Sequence, residues 1–574
     1  MAKSTTLDLD NLIVPDQMAA QIVNTWTEWH NYRQEWLEEK KELRNYVFAT
    51  DTSTTSNSKL SWSNSTTTPY ICQIYDNLKA QYEAALFPNS NWMRWEGDSQ
   101  DADTKIKRQA IQGYMENKVR QSGFENTMTR LIDDFVLYGN AYATVVHEAD
   151  YHETADGEVI AQYVGPKITR ISPYDIVFNP TSSEFSVSPK IVRTVVTLGD
   201  ARKMFDNEEL FGKMLTNRRT VTGYQGEPEK SDAYTADGFS SIQQYYGSSF
   251  VELLTFFGDI YDPEADEFLE NQEIVIVDRA YIASMKQNPS WLGNAPIFHA
   301  GWRNRPDNLY AMGPLDNLVG MQYRIDHLEN LKADVFDQIA LPILKMRGNV
   351  DDFEFAPGER IWLDEDSDVT ALVPDATALN ADLQIRELMA RMEEIAGSPR
   401  QSMGIRTPGE KTAFEVQSLD NAAGRIFQNK AAKFEKEFVE PILNAMLEAG
   451  RRNMDQGDLA RIQDDELGQV VFQSITKEDI TAAGKLVPKG ARHFAERAQR
   501  VQNITNLLQA KGDPSVAVHL SGKKQAEILA EELGERELYG ENIAVVEQAE
   551  TQRAQMDIEA DLQEEMMIAQ EQGL

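Results

Sequence analysis

The chain is poor in the residues that most simple functional readings require. It has one cysteine, Cys72, in 574 residues, which excludes an intrachain disulfide framework and any multi-cysteine zinc site. Such a chain belongs in a reducing cytoplasm or needs no covalent staples. No apolar run approaches the roughly 20 residues of a membrane-spanning helix. The N-terminus, MAKSTTLDLDNL, lacks the basic and apolar regions of a signal peptide. Positive charge is scarce too: 56 Lys and Arg stand against 92 Asp and Glu, a formal net charge of −36. A protein built to grip nucleic acid gains affinity from cations on phosphate and usually looks basic. A surface this acidic either serves solubility or is one that DNA passes without sticking.

Catalytic signatures are also missing. There is no Walker A sequence. Gly522-Lys523-Lys524 lacks the following hydroxyl residue and the preceding glycine. There is no G-x-S-x-G elbow and no dinucleotide fingerprint. His147-Glu148-Ala149-Asp150-Tyr151-His152 brushes past a zinc-protease motif, but its histidines are five apart rather than four, beside a predicted strand. Asp364, Asp366 and Asp368 mimic the start of a calcium loop. Val369 stands where glycine is needed and Asp375 where glutamate is needed, so a solvated acidic turn is the better reading. The carboxylates pick out no acid/base pair. The expectation is no enzyme, no cofactor and no metal.

What the chain does have is size, a core and long helices. It is 41% hydrophobic, and its length suggests about three or four structural units, with no internal repeat. Residues 15–46 read as one amphipathic helix, with Ile22, Trp26, Trp29, Trp36 and Leu37 at helical spacing as packing residues. The Ser/Thr-rich stretch 50–68 reads as a loop. Helices follow at 70–86 and 101–138, broken at Gly123. Tyr138-Gly139-Asn140 turns the chain into a strand, and Asp156-Gly157 signals a hairpin. Residues 198–217 read as helix and 218–247 as a long loop. Strands resume at 250–260 and 273–283, with a turn at Asp262-Pro263.

The organising stretch is 313–453. Helical segments 315–340 and 376–396 flank an insert, 341–375, with short strands at 343–346, 353–355 and 360–363. On the first helix, Leu318, Ile325, Leu328, Leu331 and Val335 share one face, with Asp316, Asp326, Glu329, Asp334 and Asp337 elsewhere. A loop, GSPRQSMGIRTPGEK, then carries Arg400, Arg406 and Lys411. Those cations either belong to a solvated helix connection or act together. Thr407-Pro408-Gly409-Glu410 is a capping box, opening a helix that reads on to Asn453. At 1.5 Å per residue it would extend roughly 65–70 Å, with a kink at Pro441. An extended segment follows near 470–472. Helices return from Ala491, and 541–574 is charged, rich in Gln and Met, and only weakly amphipathic.

Several short motifs, in this order, resemble those of bacteriophage portal proteins, the head–tail connectors, of a short-tailed type. They are Leu86-Phe87-Pro88 with the following aromatics, Tyr138-Gly139-Asn140, Ser172-Pro173-Tyr174-Asp175, Asn179-Pro180, Tyr310-Ala311-Met312-Gly313-Pro314, Leu341-Pro342 and Thr412-Ala413-Phe414-Glu415. The resemblance implies an α+β fold, with a mainly helical stem and crown, a mixed α/β wing and a small β-containing clip. It implies a wing at 1–305 and 454–490, a stem helix at 306–340, a clip at 341–375 and a second stem helix at 376–396. A tunnel loop would span 397–411, a long kinked helix 412–453 and a crown 491–574. It further implies a dodecameric homo-oligomer at one capsid vertex of the virion, assembled in the host cytoplasm. The ring would be a channel for double-stranded DNA without sequence readout. Arg400, Arg406 and Lys411 would face that DNA, and Asp326, Glu329, Asp334 and Asp337 would line the stem channel. Implied partners are the terminase large subunit at the clip, the major capsid and scaffolding proteins, and tail adaptor proteins; none is a membrane. A non-portal ring-forming virion scaffold protein and a cytosolic acidic hydrolase remain alternatives.

Overall fold

The computed structural model describes residues 17–48, 63–88, 92–97, 102–153, 159–204, 211–212, 250–262, 266–348, 350, 360–363, 365–375, 380–397, 425–454, 457–463 and 470–490. In chain order the elements are α1 (Gln17–Tyr32), α2 (Gln34–Phe48), α3 (Tyr70–Leu86), β1 (Met93–Gly97), α4 (Ala102–Gln121), α5 (Phe124–Leu137), β2 (Asn140–Glu153) and β3 (Val159–Ile171). Then come β4 (Ile176–Phe178), β5 (Lys190–Thr197), α6 (Leu198–Met204), β6 (Phe250–Asp262), β7 (Glu267–Val277), β8 (Tyr281–Gln287), β9 (Ile297–Gly301), β10 (Arg303–Arg305) and β11 (Asn308–Met312). The last are α7 (Val319–Ala340), β12 (Ile343–Arg347), β13 (Asp368–Leu372), α8 (Asp382–Ala396), α9 (Arg425–Phe434), a π-helical turn (Glu435–Val439), α10 (Glu440–Asn453), β14 (Asp458–Gln463), β15 (Val470–Ile475) and β16 (Gly484–Pro488). Helix and strand are mixed throughout, compatible with an α+β class. The contacts divide the chain into two units. One is Met1–Ala80, Leu131–Tyr142 and Ile171–Phe427; the other is Gln81–Arg130, Ala143–Arg170 and Gln428–Leu574.

The first unit is built on an antiparallel sheet of order β4–β5–β6–β7–β8. One face takes α1: Met18, Ile22 and Trp26 pack with Val177, Ile191, Leu254, Ile274 and Ile276. The tryptophan is thus a packing residue, as its spacing predicts. The expected single helix over 15–46 is two, because the chain turns at Arg33. That guanidinium is buried and donates to the carbonyls of Pro173, Tyr174 and Ile176 at 2.6–2.7 Å. It bolts the α1–α2 corner to the Ser172–Asp175 turn. Along the sheet, Arg193 pairs with Asp175 (3.1 Å) and Glu252 (2.6 Å), and Arg279 also reaches Glu252 (2.9 Å).

The expected strand over 273–283 is likewise two. β7 and β8 are joined through Asp278 and Arg279, both at positive φ (48° and 58°). Two consecutive left-handed residues make the tight turn that matches strand twist. The turn lacks the glycine that would have announced it.

Two of the sequence motifs meet in this unit. Gly139 has φ 72°, and a Cβ there would sit 2.4 Å from the Gly313 nitrogen. Asn140 beside it is fully buried. Its Nδ2 donates to the carbonyls of Tyr138 and Ala311, while its Oδ1 accepts from the Ala311 amide and lies 3.0 Å from His299 Nε2.

In the second unit, Gly123 at φ 68° separates α4 from α5, as expected. Phe87 packs edge-on to Trp92 and Phe124, and those two stack on each other. β1 pairs antiparallel with β16, and β14 with β15. The buried Lys118 on α4 pairs with the partly exposed Asp458 and donates to Val164 O at 2.5 Å. His147 and His152 both fall within β2, five apart, in a strand rather than on the helix that a zinc-protease motif needs. The described residues hold no group of three or more His, Cys, Asp or Glu able to bind a metal.

Candidate functional site

The helix–insert–helix stretch read from the sequence is present as α7, a β-ribbon and α8. β12 pairs antiparallel with β13 from Ile343↔Leu372 to Arg347↔Asp368. Glu365 and Asp366 form an exposed turn, as expected for this acidic stretch, and Asp368 opens β13. Arg360–Leu363 makes one bridge, Val350↔Leu363, rather than a strand. Phe353–Phe355 lies outside the described residues. A glycine is required at 348, where φ is 84° and a Cβ would meet Ser367 Oγ at 2.5 Å.

Among the described residues, this stretch carries many exposed apolar side chains. Trp362 is 75% exposed, Leu341 71% and Ile343 70%. Among the described residues, 13 of the 23 exposed large hydrophobics fall between Tyr323 and Ile395. Scattered surface leucines are normal, whereas a concentration of this kind makes the stretch a candidate interaction surface. Leu331, expected on the buried face with Leu318, Ile325, Leu328 and Val335, is instead exposed; the other four are buried. Lys332 of α7 bridges to Asp382 of α8 at 2.7 Å. Between the helices, Leu328, Leu331, Leu383 and Gln384 line a cavity of about 430 Å³.

The four carboxylates expected to line a channel divide. Asp326 and Asp334 are buried, under residues 63–68, which lie across α7 as an extended strap. Asp334 Oδ1 accepts from the Asn64 amide (2.5 Å) and from Asn64 Nδ2 (3.0 Å). Asp326 Oδ1 accepts from the Thr68 amide (3.0 Å) and Gln322 Nε2 (2.8 Å), while its Oδ2 is buried without a partner. Burial pushes its carboxyl above the usual range, against these two bonds. Asp337 accepts from Asn64 Nδ2 at 2.8 Å and is exposed; Glu329 is partly exposed and pairs with Lys332 at 3.3 Å. No sequence signal separates the covered carboxylates from the open ones, because the covering strap is remote in the chain.

Arg400, Arg406, Lys411 and Thr412–Glu415 lie outside the described residues, as do 213–249 and 491–574. The helix after the loop is described from Arg425. Near Pro441 it passes through the π-helical turn, where the Glu440 amide bonds to Glu435 O. Pro441 then sits in the first turn of α10. The backbone stays helical through Phe434, Val439 and Glu440, and the wider turn immediately precedes the residue that cannot donate. In the same unit, the buried Glu435 accepts the Gly490 amide at 2.8 Å.

No family model matches the chain, and no curated protein is significantly similar to it.

Proposed function

We propose that the chain is the subunit of a phage portal ring, with α7 and α8 as stem, the β12–β13 ribbon within the clip and 397–411 as the tunnel loop. The observation that carries this reading is the concentration of exposed apolar side chains on the helix–ribbon–helix stretch. An isolated two-stranded ribbon is marginal in water, and this one offers open strand edges. Repeated heterologous contacts on such a surface close into a ring. The order of motifs along the chain supports the same reading. Gly139, Asn140 and Gly313 from two of them interlock, and Arg33 fixes the turn of a third.

On this reading, DNA in transit meets an acidic wall that repels phosphate within about 8–10 Å at physiological salt. Glu329 and Asp337 are the stem carboxylates with open faces. Arg400, Arg406 and Lys411 from each subunit give a local grip on the backbone without base readout. The clip is where terminase and, later, tail adaptors dock. Negative-stain electron microscopy of the purified chain tests this. Rings with a central hole are expected, and a compact monomer at all concentrations would overturn the reading. Changing Arg400, Arg406 and Lys411 together to Gln is expected to leave rings intact and to weaken DNA retention after packaging. Unchanged retention and unchanged salt dependence would sink the role of the loop.

A further inference from the structure

The strap over α7 is held by a periodic set of side chains. Gln322, Asp326, Asn330 and Asp334 are four apart, one above the other on the helix. They meet the strap at Thr68, Thr66 and Asn64, which are two apart. The Thr66 amide donates to Asn330 Oδ1 (2.8 Å), and Asn330 Nδ2 donates back to Thr66 O (3.0 Å). Gln322 Nε2 donates to Thr68 O at 2.5 Å, and its Oε1 accepts from the Ile71 amide at 3.3 Å. Four helical residues rise about 6 Å and two extended ones about 6.6 Å. The two repeats therefore stay in step for the length of the strap. The ladder reads backbone. Ser65, Thr66, Thr68 and Pro69 are exposed, so little apolar burial holds the strap down, and segments of that kind open at low free energy.

We propose that residues 63–68 are a pH-dependent latch on α7, with Asp326 as the group that loosens its Thr68 end. In the closed latch, both donors available to Asp326 use Oδ1, and Oδ2 is sealed from water with nothing to bond. That arrangement suits a protonated carboxyl, and leaving an ionised oxygen dry is unfavourable. Opening the latch hydrates both oxygens. The charged neighbour that acts on Asp326 is Glu329, one turn along the helix, and it disfavours ionisation. Glu329 is paired with Lys332. From α3 and α8 come the Tyr70 hydroxyl and the Glu393 carboxylate, bonded to each other. At the other end, Asp334 and Asp337 accept hydrogen bonds from Asn64.

The sign follows from the raised Asp326 carboxyl. Its contribution to closure is fully present below the open-state carboxyl range and is lost as pH rises through the raised closed-state value. The inference does not depend on the ring reading.

Residue-resolved hydrogen exchange on the full chain from about pH 4, the ordinary aspartate value, up to about pH 8 tests it, corrected for the intrinsic exchange rate. Protection at the Thr68 amide is expected to fall with pH, by about tenfold for each unit by which closure raises the carboxyl, while Asn64 keeps its protection. In Asp326→Asn the fall should vanish. Glu329→Gln, a surface change, should move the fall to lower pH, and it serves if Asp326→Asn does not fold. Flat Thr68 protection in the unaltered chain, an equal fall at Asn64 and Thr68, or an unmoved fall in both variants would overturn the latch.

Discussion

Asn140 satisfies two carbonyls, one amide and a histidine ring nitrogen from a fully buried position. Asn140→Ala strands those groups, each worth about 1–3 kcal/mol when left unmade in the interior. We expect a loss of roughly 2–4 kcal/mol, read as a lowered melting temperature. A change within error would show that water replaces the amide. Lys190 is a second residue with a definite sign. It is buried, donates to Ser186 O and Ser188 O, lies 4.6 Å from the Phe185 ring centroid, and has its amine lowered to about 7 by burial. The unfolded chain therefore binds more protons than the folded one between about pH 7 and 10, and stability contributed at this site rises across that window. Relative to Lys190→Met, the unaltered chain should gain stability as pH increases from 7 to 9, on the order of a few kcal/mol in all. Parallel melting curves for the two proteins across those pH values would contradict this.

At the scale of elements, the sequence marks those whose signal is local and repeated. α7, α8, the break at Gly123, the strand after Asn140 and the extended stretch at 470 all follow from periodicity or a turn residue. What escapes it depends on distant partners. The α1–α2 corner exists because Arg33 finds three carbonyls some 140 residues away, and no helix breaker marks it. The β7–β8 turn uses Asp278 and Arg279 where glycine would have been the cue. Asp326 and Asp334 look like Glu329 and Asp337 until the strap is placed.

Pro441 is the instructive case, since proline within a helix implies a kink, yet the chain places a π turn ahead of it. Pro441→Ala should then change stability by less than about 1 kcal/mol, against the roughly 3 kcal/mol of an interior helical proline. Thermal melts decide between the two magnitudes. A gain near the larger value would mean that the π turn does not absorb the missing bond.

For the whole molecule, two forces of opposite sense meet. Each chain carries a formal charge of −36, so copies brought side by side repel. The helix–ribbon–helix stretch presents apolar surface that favours contact. Repulsion between exposed charges reaches about 30 Å at 0.01 M salt but about 8 Å at 0.15 M, whereas apolar association has no such dependence. Assembly should therefore be suppressed at very low ionic strength and should rise steeply toward physiological salt, as seen by sedimentation velocity at fixed protein concentration. The apolar half of the balance is tested by Trp362→Asp with Leu372→Asp. Both side chains are exposed in the single chain, so the pair should alter its own stability by no more than about 0.5 kcal/mol per site. The same changes place two like charges per subunit in the proposed contact, and the assembled species should disappear at every salt concentration while melting temperature holds. Assembly that persists in the double variant would place the contact elsewhere on the chain. Assembly that falls with added salt would mean that complementary charge, not buried apolar surface, brings the copies together.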